Sequence, residues 1–270
     1  MRRVDRVRRA LSGRPVDRVP RGELVISDEV VGGFLKVEEV TVADRVAFAA
    51  ALDLDAAVTP DLEEVEAWLD AGFFLFGLVD GPFSHALRTL GFEGLMLGLD
   101  RCTGLLEEGT YLARERARAF LEAGAHGIVV ADDIAYSRGT YVNPRWLGEQ
   151  LFPRLCRLTT SLLASEATLF HSDGDISAVI GDVVEAGFCG LVGLDCLSDP
   201  RGLQERYGLI LWGGFDLDFL LRAEPQEISS AARALEADLG RGGRYIFGTD
   251  GGLMPGIGRE RLLALYGKTV

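Results

Sequence analysis

The stretch ATLFHSDGDISAVIGDVVEAGFCGLVGLD, residues 167–195, decides the fold. It opens on the apolar run ATLFH at 167–171, which is closed by a polar turn and has the length of a buried strand. In the segment that follows, Ile176, Val179, Ile180, Val183 and Val184 fall at i, i+3, i+4, i+7 and i+8, the spacing of one helix face. Asp175 is placed to cap that helix over 176–186 and Gly187 to stop it. A second apolar run, GLVGL at 190–194, comes directly after. Strand, helix and strand in this order form a βαβ unit, with one helix face packed on a parallel sheet.

The same alternation extends in both directions. Further runs at 22–26 (GELVI), 55–58 (DAAV), 73–79 (FFLFGLV), 127–131 (GIVVA), 209–213 (LILWG) and 244–248 (RYIFG) raise the number of strands to eight. Eight is the number that a (β/α)8 TIM barrel requires. A second clear helix runs over 226–239, with Pro225 suited to its first turn and Ile228, Ala232, Leu235 and Leu239 as its apolar stripe. Between 82 and 110 the pattern blurs, and helices with a loop are expected there. No linker or low-complexity tract divides the chain, so the expectation is one α/β barrel domain over 1–270. The competing open, doubly wound sheet loses ground because no GxGxxG follows the first run.

Charge and cysteine usage exclude several function classes. The formal charge of -13 opposes non-specific binding to nucleic acid or to an anionic membrane, so neither is expected as a partner. The basic start MRRVDRVRRALSGRPVDRVP has no apolar core of a targeting peptide, and no run of about twenty apolar residues occurs. Cys102, Cys156, Cys189 and Cys196 show no CxxC pair and read as reduced thiols. Together these features point to the cytoplasm.

The active site of such a barrel lies at the carboxyl ends of its strands, and there the sequence is acidic. Glu23 lies in the first run, with Ser27, Asp28 and Glu29 behind it; Asp80 follows the third and Asp132 and Asp133 the fourth. The fifth ends in His171, with Asp173 and Asp175 behind it, and Asp195, Asp216 and Asp250 follow the last three. Any one aspartate in such a place is ordinarily a helix cap or turn former. Many carboxylates at one rim would repel each other unless a cation, a bound proton or a basic substrate compensated them. His171 could equally be a satisfied core residue, and His85 and His126 read as structural. Gly193, Gly213, Gly214, Gly248, Gly251 and Gly252, in or beside the late strands, invite a phosphate cradle, a signal with little specificity among 34 glycines. Clustered carboxylates should include at least one with a raised pKa, giving activity that changes near neutrality.

Six segments in order, RVPRGELVI (18–26), LVDGPF (78–83), ADDIAYSRGTYVNP (131–144), LFHSDGD (169–175), LWGGFDLDFLL (211–221) and IFGTDGG (246–252), resemble the signatures of the uroporphyrinogen decarboxylase superfamily. The resemblance implies a (β/α)8 barrel and one of two chemistries. Decarboxylase members remove acetate carboxyls from a cyclic tetrapyrrole without a cofactor, using an RQAGRY segment and a central aspartate. RQAGRY is absent here, and Asp55 stands where the central aspartate is expected. Methyltransferase members bind zinc through H-x-C after the fifth strand and a cysteine after the eighth. The matching positions are His171, Asp173 and Asp250, a set that suits zinc through nitrogen and oxygen or a harder divalent ion. The chain is also shorter than typical members, which suggests trimmed loops and a more open cleft.

The leading expectation is a corrinoid-linked methyltransferase that takes its corrinoid from a partner protein and acts on a small-molecule substrate. Asp133, His171, Asp173 and Asp250 would be catalytic, with a metal on His171, Asp173 and Asp250; Glu23, Asp55, Asp132, Arg138, Asp195 and Asp216 would bind substrate. A cofactor-free tetrapyrrole decarboxylase of porphyrin biosynthesis is the second reading. A non-catalytic barrel that binds a small molecule or corrinoid is the third.

Overall fold

In a strand, successive side chains point to opposite faces, so a strand buried on both sides feeds two cores. The computed structural model, which describes residues 1–268, shows this alternation. Phe74 and Phe76 of one strand join an inner core with Leu169, Trp212 and Ile246, while Leu75 and Val79 between and beyond them join the outer core beneath the helices. The expected 1–270 domain ends on residues 269–270, which lie outside the described residues.

The strands are β1 (Ala56–Thr59), β2 (Phe74–Asp80), β3 (Gly127–Ala131), β4 (Ala135–Tyr136), β5 (Gly139–Thr140), β6 (Ala167–His171), β7 (Gly190–Val192), β8 (Ile210–Phe215) and β9 (Tyr245–Thr249). Seven of them make one curled parallel sheet in the order β1, β2, β3, β6, β7, β8, β9. The β4–β5 pair is a separate antiparallel hairpin directly after β3, which the strand count did not anticipate. The 167–195 stretch folds as β6, helix and β7, with Leu169 opposite Gly190. Its helix is shorter than expected: a 3-10 turn at Ser177–Val179 leads into Ile180–Glu185. Asp175 accepts the Ser177 N–H at 2.9 Å, and Gly187 ends the turn at φ 93°. The later helix is Pro225–Leu239, with Ile228, Ala232 and Leu239 buried. The blurred region holds Pro82–Leu97, kinked at Gly91, and Thr103–Glu122.

The first expected strand, 22–26, does not form a ladder. Arg21 bridges Phe247 of β9 and Gly22 bridges Ala56 of β1, so the segment touches both edges of the sheet at isolated points. The reason lies in Glu23: its carboxylate, instead of a backbone carbonyl, takes the Thr249 N–H, at 3.1 and 3.2 Å. Gly22 fits there because a Cβ would stand 2.7 Å from the Trp212 ring, whose Nε1–H donates to the Gly22 carbonyl at 3.0 Å.

Candidate metal site at the carboxyl ends of the strands

Register brings the chemistry together. Ala131 of β3 lies opposite His171 of β6, and the Asp132 N–H continues the ladder to the His171 carbonyl at 2.9 Å. The two short segments beyond the strands, 132–133 and 172–173, therefore run side by side. The Asp173 N–H donates to Asp133 Oδ1 at 3.1 Å. Asp133, His171 and Asp173 each offer one ligand atom, and these atoms all lie within 4.8 Å of one another. His171 Nδ1 is 2.9 Å from the Val192 carbonyl, which can only accept, so Nδ1 carries the proton and Nε2 is left to face Asp173 Oδ1 at 3.7 Å. That second bond fixes the ring as metal-ligating imidazoles are usually fixed.

Two serines hold the frame. Ser84 Oγ accepts the Asp133 N–H at 3.0 Å, and Ser172 Oγ accepts the Ile134 N–H at 3.1 Å. Asp173 has 72% of its side chain in solvent, yet its pKa is raised. Partial desolvation contributes first, followed by the negative charges of Asp133 and Asp195, against the pull of His171. A ring nitrogen between two carboxylates is the donor set of a borderline or hard divalent ion, not of a thiolate centre. Tyr141 stacks with Tyr136 at 5.8 Å and meets Phe92 edge-on at 5.3 Å beside this cluster. Burial first, then Asp133 and Asp173, raise the Tyr141 pKa.

Asp250, expected among the metal ligands, has its Oδ1 committed elsewhere. It accepts the N–H groups of Leu194 and Gly214, each at 2.7 Å, and so ties the ends of β7 and β8 together. Burial lifts its pKa to about 6 against those two bonds. Gly213 sits at φ 112°, and a Cβ there would meet Asp250 Oδ1 at 2.7 Å. The Cβ direction of Gly248 points into the Gly22 backbone. Gly213 and Gly248 therefore make room for protein atoms.

Two other acids are fully enclosed. Burial raises Asp132 to about 8; its Oδ1 accepts the Ser84 N–H at 2.7 Å and its Oδ2 is buried without a partner. Burial also raises Glu23 to about 8, opposed by Thr249 Oγ1 at 2.6 Å and by the Tyr266 hydroxyl. Both are held in neutral form near neutrality, as expected of carboxyls with costly desolvation.

The remaining expected residues lie apart from the cluster or serve the backbone. Asp55 precedes β1, at the amino ends of the strands, opposite the Asp133 cluster. It is 0% exposed and ion-paired to Arg6 Nη1 at 2.5 Å and Arg18 Nη1 at 2.6 Å, with the Arg21 N–H at 3.0 Å. That geometry corrects the substrate-binding expectation: both carboxylate oxygens are consumed by arginines of the chain's own start. Asp216 caps the Leu217–Arg222 helix through the Phe219 N–H at 2.8 Å. Arg138 is exposed in the β4–β5 turn, and Asp195 is exposed with the Cys196 thiol at 3.2 Å from its Oδ2. Sequence reasoning missed Ser84, Ser172 and the tyrosine pair. The spacing D-D after one strand and H-S-D after the next was the one signal that could have found the serine.

The arrangement defines an α/β protein with a metal-competent rim on a parallel sheet. The family model for uroporphyrinogen decarboxylase (URO-D) matches residues 58–267, and the chain belongs to that family. It is 27% identical over 121 residues to the methylcobamide:CoM methyltransferase MtaA of Methanosarcina barkeri, and 26% to that of strain Fusaro. The match spans 43% of this chain and 34% of the relative's length. A solved methyltransferase from Methanosarcina mazei superposes with a TM-score of 0.78 at 21% identity, covering 99% of this chain and 98% of that one. A vitamin-B12 independent methionine synthase described as putative, from Listeria monocytogenes, gives 0.57 at 12% identity, over 94% and 95%. These likenesses show the fold. Among the described residues no helix is long and apolar enough to cross a membrane.

Proposed function

We propose that the chain is a methyltransferase-type member of its family, that the 20–26 segment serves as the eighth position of its ring, and that the whole chain is one barrel domain. It moves a methyl group between a corrinoid, carried by a partner protein, and a small-molecule acceptor. The observation that carries this reading is the meeting of Asp133, His171 and Asp173 at adjacent strand ends. The set fits a divalent ion with nitrogen and oxygen donors, and Asp133 takes the place that Asp250 was expected to hold. Such an ion, when bound, would supply Lewis acidity that lowers the pKa of a thiol or hydroxyl acceptor.

The protein's own groups have separable tasks. His171 presents Nε2 because Val192 holds its other nitrogen. Asp133 and Asp173 supply negative charge, and Asp133 is oriented by the Asp173 N–H and the Ser84 hydroxyl. Tyr136, Tyr141 and Phe92 give the neighbouring rim an aromatic wall against which an apolar body can pack. Asp250, with a pKa of about 6, keeps β7 and β8 in register and can carry a proton near neutrality. Asp195, Asp216 and Arg138 are exposed, where they can meet a substrate or a partner. The capture of Asp55 by two arginines supports methyl transfer over tetrapyrrole decarboxylation, since a carboxylate so occupied cannot hold pyrrole N–H groups.

The test is to incubate the purified chain with methylcobalamin and a small thiol, with and without Zn²⁺, and follow the corrinoid spectrum and thiol methylation. Metal-dependent methylation that is lost in His171→Ala supports the reading. Stepwise loss of CO2 from uroporphyrinogen, with no methylation, would replace it.

A further inference from the structure

The failed ladder of the first segment leaves a gap. After the Gly22 to Ala56 bridge, the chain leans away from β1 toward the end of β9: Leu253 N–H donates to the Val25 carbonyl at 2.8 Å, and Ser27 N–H to the Leu253 carbonyl at 3.0 Å. A cavity of about 190 Å³ opens between this segment and β1. Leu24, Val58 and Leu78 wall it from the inner core, and Ala49, Leu54 and Trp68 from the outer. The buried Glu23, its carboxyl held by Thr249 and Tyr266, lines it as well, while none of Asp133, His171 and Asp173 does.

One end of the cavity is charged. Arg45 stands there with Asp28, Asp61 and Glu64. The guanidinium is already engaged, with Asp28 at 2.8 Å and Glu64 at 2.5 Å. Asp61 makes no ion pair among the described residues, although Arg116 donates to the neighbouring Pro60 carbonyl at 2.6 Å; of the groups lining the cavity here, three carboxylates against one satisfied arginine leave this end negative. An anionic ligand would be repelled, and a purely apolar one would gain nothing from the carboxylates, whereas a cation is attracted to them. An engineered cavity of about 150 Å³ lined by apolar side chains takes up benzene, which sets the scale of the occupant.

We propose that this seam cavity binds a small organic ammonium ion with an apolar body of roughly benzene size, its charge directed to Asp61 and its body between the two cores. The site is separate from the metal cluster and stands whether or not the methyl-transfer reading holds.

The experiment uses the full chain and three probes of similar shape, benzylamine, toluene and benzoate, by titration calorimetry and thermal shift. Benzylamine binds at one site and raises Tm, as any ligand of the folded state does. Toluene binds at least about threefold more weakly, and benzoate does not bind. Asp61→Asn, at an exposed position, weakens benzylamine by up to about fivefold, the range of one solvent-accessible ion pair. Ala49→Leu fills the cavity and abolishes binding; if that variant fails to fold, Asp61→Asn and the probe series still decide. Equal binding of toluene and benzylamine, binding of benzoate, or benzylamine binding untouched by Asp61→Asn overturns the proposal, as does no binding of benzylamine.

Discussion

Replacing Asp55 by alanine separates a structural acid from a substrate-binding one. The carboxylate is fully buried, pairs with Arg6 at 2.5 Å and Arg18 at 2.6 Å, and takes the Arg21 N–H at 3.0 Å. In Asp55→Ala, Arg6 keeps its bond to Asp17 at 2.7 Å, and Arg18, with 30% of its side chain exposed, can reach water. Removing one partner of a buried ion pair costs about 3–5 kcal/mol when the other charge is stranded. Because both arginines retain some compensation, the lower end applies, about 3 kcal/mol. For a chain of this size each kcal/mol moves Tm by about 2–4 °C, so Tm should fall by roughly 6–12 °C. Urea unfolding followed by circular dichroism checks the free energy, and a Zn²⁺ titration of the folded variant should match the parent. A fall of less than about 2 °C, or lost metal affinity in a folded variant, would refute the argument.

Other consequences follow from the same geometry. Glu23 and Asp132 both have folded pKa values of about 8, above their ordinary 4.5 and 3.8. Their folded forms hold protons that the unfolded chain releases, so the stability they confer is complete below the ordinary values and lost as pH rises through about 8. Tm measured from pH 5 to 9 should decline, and Glu23→Gln should flatten the decline; a parent whose Tm climbs with pH over that range would count against it. Asp133→Asn and His171→Ala should each weaken divalent-metal binding by tenfold or more, an order-of-magnitude expectation for loss of one ligand. Asp250→Ala should leave metal affinity within about threefold while lowering Tm, because it leaves the two backbone N–H groups that Oδ1 accepts without a partner; the opposite pattern in calorimetry would restore Asp250 as a ligand. Gly213→Ala should destabilise by about 1–3 kcal/mol, through its φ of 112° and its clash with Asp250, and an unchanged urea midpoint would contradict that.

Most strands were legible because parallel strands buried on both faces read as short apolar runs bounded by turns. GIVVA and ATLFH became β3 and β6 without change of bounds. GELVI failed for a reason periodicity does not carry: a side chain, Glu23, took the place of a backbone acceptor. In the site, the likeness to relatives drew Asp250 toward the metal because it follows the last strand. The fold groups by lateral register instead, and Ala131 opposite His171 brings Asp133 to Asp173. Asp55 misled because a linear reading does not show which end of the sheet an acid occupies, or that Arg6 and Arg18 return to meet it.

The central claim is a divalent ion on Asp133, His171 and Asp173, and the direct measurement is X-ray absorption on the chain loaded with one equivalent of Zn²⁺. The expected spectrum shows a first shell of nitrogen and oxygen at about 2.0–2.2 Å with one imidazole in it, and loses that imidazole in His171→Ala. Sulfur scattering at about 2.3 Å, or a spectrum unchanged by His171→Ala, would contradict it.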